Sequence, residues 1–209
     1  MALASVALAQ ARTLLNDDIA AVWSDAALIP KLQIAHQELQ MALWEVGSPV
    51  VRKESALIAV VAGLADFSPL QPADMLAPTK LFEYTVGSVY VGEMTEVFYL
   101  PLPVTAGAPI LGTTLIYWCW RREKILFIGA SVDTKVKAQY RKLITVPTIA
   151  GSDLGIAFAE AYLGPRAAAL AAGSVGNADM LKIATDMATS NFARVIAANR
   201  GQQKPSDKP

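Results

Sequence analysis

The chain contains one histidine and one cysteine, His36 and Cys119. A catalytic triad or a histidine-based metal centre needs further partners beside the histidine. His36 falls in a predicted long helix, which favours a place on the helix surface or in an interface over a catalytic role. Cys119 lies between two tryptophans in a predicted strand, where a buried thiol is favoured over a reactive one that needs a cationic setting. A lone cysteine excludes an intramolecular disulfide and a cysteine-built zinc site.

Other sequence patterns that do chemistry are incomplete. The segment Gly151-Ser152-Asp153-Leu154-Gly155 opens a predicted helix but lacks the lysine of a phosphate loop, and Asp153 would repel a phosphate. Hydrolysis of a glycoside needs two carboxylates in one cleft. The sequence contains two acidic pairs, at residues 17 and 18 and at residues 93 and 96. Turns and solvated faces explain both pairs more simply. We therefore expect no enzyme, no catalytic residues, no cofactor and no metal.

Aromatic and basic side chains alternate around the cysteine. Such mixtures stack on nucleic-acid bases, but tryptophan, tyrosine and arginine are also the residues that dominate protein–protein contacts. Without a wider basic patch, a protein interface is favoured. The sequence therefore predicts a subunit interface at Trp118, Trp120, Arg121 and Arg122.

The N-terminal third is predicted to be helical. A short first helix precedes a turn at residues 16–18, and Ser24 and Asp25 are N-cap candidates for a second helix over residues 26–46. Apolar residues spaced by three and four positions place one stripe on that helix. The stripe consists of Leu28, Leu32, Ala35, Leu39, Leu43 and Val46.

The middle of the chain is predicted to form strands at residues 56–62, 79–86, 110–120, 124–128 and 134–142. Residues 91–98 are ambiguous, and a single helical turn is one interpretation. In the last strand, Val136, Ala138 and Tyr140 alternate with polar residues, which predicts one buried and one wet face. We expect an antiparallel meander.

The C-terminal third returns to helix. Ser152 is a candidate N-cap for a helix over residues 154–172, which Gly164-Pro165 should kink or break. Asn177 is expected to cap a last helix that ends at Gly201. The fold prediction is an α+β protein in which N-terminal and C-terminal helices form a helical bundle with a central antiparallel β-sheet insertion. Its parts are residues 1–49, 50–148 and 149–201, followed by a flexible tail over 202–209.

The 209-residue chain is unusually apolar, at 54% hydrophobic and 17% charged residues. No run approaches the roughly 18 apolar residues of a membrane span, so we interpret the excess as surface that meets other subunits. Lysine plus arginine equals aspartate plus glutamate, 18 each, which argues against a dedicated nucleic-acid binder. The apolar N-terminus lacks the leading positive charge of a signal peptide and is better explained as a helix.

The order of elements resembles the head-to-tail adaptor (connector, or neck) proteins of tailed bacteriophages, especially podovirus-like virions. The resemblance covers most of the chain. It is carried by Trp23-x-Asp25-x-x-Leu28-Ile29 before Ile34-Ala35-His36-Gln37-Glu38-Leu39, by Val60-Val61-Ala62-Gly63 before Pro72-Ala73-Asp74, by Trp118 with Ile125-Leu126-Phe127-Ile128-Gly129 and Tyr140-Arg141-Lys142, and by Gly151-Ser152-x-Leu154-Gly155 with Asn199-Arg200-Gly201-Gln202-Gln203.

The resemblance implies a virion protein at the capsid–tail junction, made in the host cytoplasm. Such proteins form a homo-oligomeric ring, commonly of twelve subunits, that joins the portal protein to the tail or nozzle protein. Genomic DNA passes through the centre without sequence-specific binding, and no membrane is involved. The C-terminal segment of relatives often reaches the portal, which implies portal contacts for Arg200, Gln202, Gln203 and Lys204.

Three alternatives remain open. The first is another tail-completion or nozzle component of a phage virion. The second is a small enzyme built on His36, Asp25 and Glu38. The third is a nucleic-acid binding module that uses Arg121, Arg122, Lys124 and residues 135–142.

Overall fold

A computed structural model describes residues 2–100 and 111–201 of the chain. These residues form four α-helices and a curled mixed β-sheet, which confirms the predicted mixture of helix and sheet. They group into two compact units. The helical unit contains the described residues up to Val51 and from Ile144 onward, and the sheet unit contains Arg52–Leu143. The predicted tail at 202–209 lies outside the described residues.

The helical unit contains α1 (Ala4–Leu14), α2 (Asp25–Glu45), a 3-10 turn (Pro49–Val51), α3 (Glu160–Ser174) and α4 (Ala178–Asn199). The apolar stripe predicted for α2 is confirmed, because its leucines and Ala35 are all fully buried. Val46 follows the last helical residue and is only half-buried. A helix with one such stripe is stabilised mainly by packing that stripe against its neighbours.

Helix α3 contacts each of the other three helices. Small side chains permit this, and those at Ala167, Ala168, Ala169, Ala171 and Ala172 are all completely buried. The closest approach lies at Gly164, where an added Cβ would stand 2.8 Å from Cβ of Gln10 and 2.9 Å from the carbonyl oxygen of Ala7. Helix α1 therefore rests directly on the backbone of α3.

The predicted start of the C-terminal helix at Ser152 is wrong, since α3 begins at Glu160. Backbone bonds to the N-terminus hold this segment in another conformation. The amide of Ala4 donates to the carbonyl of Ser152 at 2.9 Å, and the amide of Leu154 donates to the carbonyl of Ala2 at 2.8 Å. These bonds come from residues distant in sequence, so they override the local capping signal.

The sequence predicts a kink or a break at Gly164-Pro165, and the break is wrong, because α3 runs continuously through Pro165. A proline inside a helix leaves the carbonyl four residues earlier without its amide donor. Here that carbonyl belongs to Ala161, and the side-chain amide of Asn191 on α4 donates to it at 2.9 Å. A side chain from the neighbouring helix thus replaces the missing bond.

The last helix begins as predicted. The side chain of Asn177 accepts a hydrogen bond from the amide of Met180 at 3.1 Å, which is an N-cap contact. The apolar face of α4 is only partly covered, however. Ala184 and Val195 are buried, whereas Ile183 is 61% exposed and Met187 is 46% exposed.

The sheet unit contains seven strands in its described residues, with the order β1-β7-β3-β4-β5-β6 and with β2 also pairing with β7. Their bounds are β1 Arg52–Glu54, β2 Ile58–Val60, β3 Met75–Tyr84, β4 Tyr90–Glu96, β5 Tyr117–Arg121, β6 Lys124–Phe127 and β7 Thr134–Lys142. Strand β7 and its alternation are confirmed, because Val136, Ala138 and Tyr140 are buried.

Two expectations for the sheet fail. Residues 91–96 belong to strand β4 and do not form a helical turn. The sheet is not a pure antiparallel meander, because β4 pairs with β5 in parallel. A parallel pair needs a crossover connection of about a dozen residues or more, and the 20 residues between Glu96 and Tyr117 provide that length.

Candidate interaction surfaces

The predicted interface residues around Cys119 do not share one environment. Trp118 is 1% exposed, and its indole nitrogen donates to the carbonyl of Met94 at 3.3 Å. Its side chain therefore belongs to the core of the sheet unit and leaves no surface for a partner. Cys119 is buried as expected.

The other three predicted residues lie closer to solvent. Strands β5 and β6 form an antiparallel hairpin whose last residue pair is Arg121 and Lys124. Arg122 and Glu123 form the turn between them. Both turn residues have positive φ, 51° and 59°, as the two-residue turns of tight hairpins require. Arg121 and Arg122 are exposed and Trp120 is half-buried. Their role at a subunit interface remains a prediction.

A cavity of about 510 Å³ adjoins this hairpin. Trp120 and Arg121 line it together with residues 96–99. Phe98 is 85% exposed and Tyr99 is 67% exposed, and their rings stand edge to face with centroids 4.6 Å apart. This aromatic pair was not predicted from the sequence, since the pattern at residues 91–98 is ambiguous.

Of the residues expected to contact the portal, the structure describes only Arg200. It follows the last residue of α4 and is exposed. Gln202, Gln203 and Lys204 lie outside the described residues. The preceding residue, Asn199, is buried, and its side-chain amide donates to the carbonyl of Ala157 at 2.8 Å. The end of α4 is therefore fixed to the segment before α3.

The expected surface position of His36 is wrong. Its side chain is 0% exposed, and Nε2 lies 2.9 Å from the carbonyl oxygen of Leu154. Since a carbonyl only accepts, Nε2 must carry the proton, and Nδ1 has no partner among the described residues. Burial lowers the pKa of His36, although the bond to Leu154 opposes that shift. The imidazole therefore serves as a neutral donor inside the helical unit.

Glu38 holds the best-developed ion pair of the helical unit. Arg166 on α3 donates to both of its carboxylate oxygens at 2.8 Å, and the hydroxyl of Tyr162 donates to one of them at 3.1 Å. Hydrogen bonds from Arg166 lower the pKa of Glu38, and burial raises the pKa of Tyr162. The spacing of Tyr162 and Arg166 by four residues places them on one helix face, but nothing in the sequence points to Glu38 as their partner.

The three residues considered for an enzyme have separate partners. Asp25 pairs with Arg12, His36 bonds to a backbone carbonyl, and Glu38 binds Arg166. Within residues 2–100 and 111–201, no group of three or more histidine, cysteine, aspartate or glutamate side chains could hold a metal ion. No described helix is long and apolar enough to cross a membrane.

A groove of about 420 Å³ opens on the helical unit. Val6, Gln10 and Leu14 of α1 line one side, Ala161 and Pro165 of α3 form the floor, and α4 provides the other side. The α4 residues are Met187 and Asn191. The lining is mostly aliphatic, so water in the groove is easily displaced by an apolar group.

The loop between α1 and α2 is held by one buried carboxylate. Asp17 accepts the amides of Ala21 at 2.9 Å, of Val22 at 3.1 Å and of Trp23 at 2.6 Å. The bond from Trp23 is the largest of the contributions that lower the pKa of Asp17. We call residues 17–23 the Asp17 loop. Its two large aliphatic side chains face solvent, with Ile19 87% and Val22 72% exposed.

No protein-family model matches the chain, and no curated protein matches it at a significant level.

Proposed function

We propose that this chain is a structural virion protein that forms a ring between the portal and the tail of a phage. The family resemblance implies twelve subunits in that ring. Genomic DNA passes through the centre of the ring, and no enzymatic activity is needed. In this proposal the helices from the two chain ends form a bundle, and the antiparallel part of the sheet is an insertion between them.

The observation that carries the proposal is the exposed apolar surface. Isolated surface hydrophobic residues are ordinary, but here they occur in groups on both units. Ile19 and Val22 share one loop of the helical unit, and Phe98 and Tyr99 are adjacent in the sheet unit. Grouped exposed apolar side chains mark surfaces that meet other proteins. A subunit in a closed ring needs two such surfaces, since its two neighbours contact different faces.

Mass measurement tests this function. Native mass spectrometry of the purified protein, alone and mixed with the portal protein of the same phage, should show a closed oligomer bound to the portal. A chain that never associates with the portal, alone or as an oligomer, would contradict the adaptor role. Capture by a distal tail protein without any portal contact would favour the alternative of a nozzle component.

A further inference from the structure

The Asp17 loop presents apolar side chains that no other described part of the chain covers. Ile19 has the largest exposed fraction among the described large hydrophobic residues, at 87%. A mobile loop would lose binding energy to ordering, but this one is already ordered by the amides that donate to Asp17. Preorganised segments bind more tightly because the entropic cost of ordering has been met during folding.

The groove between α1, α3 and α4 is the matching concave surface. Its lining residues Val6, Leu14 and Met187 leave apolar atoms open to solvent. Its volume of about 420 Å³ exceeds the space of one aliphatic side chain. Ile183, four residues before Met187 and 61% exposed, extends the same face of α4 beyond the groove.

Charges at the two surfaces are complementary. Asp18, next to Ile19, is exposed, and it accepts a hydrogen bond from the hydroxyl of Thr13 at 2.8 Å. On α4, Arg194 follows Met187 by seven residues and therefore lies on the same helix face. Arg194 is exposed, and no described carboxylate lies within 4.0 Å of it.

We propose that Ile19 and Val22 of one copy of this chain insert into the α1–α3–α4 groove of a second copy, with Asp18 of the first beside Arg194 of the second. This contact deepens the proposed function, because it assigns the two faces that join successive subunits, and it rests on self-assembly of the chain. Both surfaces belong to the helical unit. The contact is heterologous, and repeating it generates a ring when its rotation closes.

Cross-linking between differently labelled copies tests the contact. An Ile19→Cys variant is mixed with a Met187→Cys variant and treated with a short bismaleimide. We expect a product of two chains that appears in the mixture and not with either variant alone. The control mixture replaces Ile19→Cys with Ile149→Cys, an exposed position at 64% in the same unit. The native Cys119 is buried, so we expect it not to react in any of these variants. Absence of a product specific to the Ile19 mixture would overturn the inference.

Charge reversal provides a second test. Asp18→Arg should raise the concentration at half-dissociation of the oligomer, and Asp18→Arg with Arg194→Asp in one chain should restore the wild-type value. The double variant Ile19→Asp with Val22→Asp should raise the concentration at half-dissociation by about tenfold or more for each lost side chain. Unchanged oligomers in these variants, with unchanged circular dichroism, would refute the contact.

The double variant Ile19→Cys with Met187→Cys distinguishes a failure of this contact from a failure of the proposed ring. Cross-linking that continues to a closed oligomer supports both. A product that stops at two chains supports the contact and contradicts the ring. A closed wild-type oligomer without Ile19-specific cross-links supports the ring and overturns the contact.

Discussion

Replacing Leu39 with aspartate should strongly destabilise the helical unit. Leu39 is 0% exposed and lies at the centre of the α2 stripe. Removing its side chain from the core forfeits about 1.5–3 kcal/mol of burial. The new carboxyl group must then be neutral to remain buried at pH 7. Protonating a group whose ordinary pKa is about 3.9 costs about 4 kcal/mol at that pH, since each unit corresponds to 1.36 kcal/mol.

The total penalty of about 6 kcal/mol is comparable to the whole stability of many domains, which is about 5–15 kcal/mol. With a urea dependence of about 1–3 kcal/mol/M, the midpoint should fall by about 2 M or more. Urea titration followed by circular dichroism at 222 nm measures this shift, because that signal reports the helices. The control is Met41→Asp, two residues along the same helix and at a 57% exposed position, where we expect a change within about 0.5 kcal/mol.

The pH dependence of this penalty separates its two causes. Near pH 4 the carboxyl group is already half-protonated in the unfolded chain, so the charge contribution nearly disappears. The difference between Leu39→Asp and wild type should then shrink to the burial contribution of about 1.5–3 kcal/mol. A penalty that does not change between pH 7 and pH 4 would contradict the assignment of this position to the core. Equal effects of the Leu39 and Met41 variants would refute the predicted helix face.

Three further predictions concern the helical unit. Because its folded-state pKa is lowered, His36 should destabilise the unit as pH falls below its ordinary value of 6.5, and a His36→Gln variant should lose this dependence in urea titrations between pH 5 and 8. Gly164→Ala should destabilise by about 1–3 kcal/mol through the close contact with α1, whereas Gly173→Ala, whose nearest neighbour would stand 3.8 Å away, should be neutral or stabilising in the same assay. Arg166→Met should lower the free energy of unfolding by about 1 kcal/mol at pH 7, allowing for the partial exposure of the ion pair. Because the pKa of Glu38 is lowered in the folded state, this difference from wild type should disappear as the pH falls below the ordinary glutamate pKa of 4.5.

Local patterns predicted the elements whose stability comes from periodic burial. The α2 stripe and the alternation of β7 both follow from the spacing of apolar residues, and neither depends on which neighbour covers them. The N-cap at Asn177 is equally local, because its acceptor and donor are three residues apart. Such features are visible in a single sequence.

Three wrong predictions, those for Ser152, Pro165 and His36, share a different cause, which is a bond to a distant part of the chain. Ser152 did not cap a helix because its carbonyl accepts the amide of Ala4. Pro165 did not break α3 because Asn191, 26 residues later, donates to the carbonyl that the proline leaves without a donor. His36 can be buried because the carbonyl of Leu154 accepts a hydrogen bond from its imidazole Nε2. No local propensity carries these pairings.

The Asp17 loop combines both kinds of information, which explains why its turn was predicted and its surface was not. The carboxylate of Asp17 bonds to amides four to six residues ahead, so the turn at residues 16–18 is a local feature. The exposure of Ile19 depends instead on the absence of a covering element among the described residues, and the groove depends on three helices from both chain ends. Association with a second copy would bury the exposed side chains of Ile19 and Val22. This gain in apolar burial is the reason that we place the proposed subunit contact there.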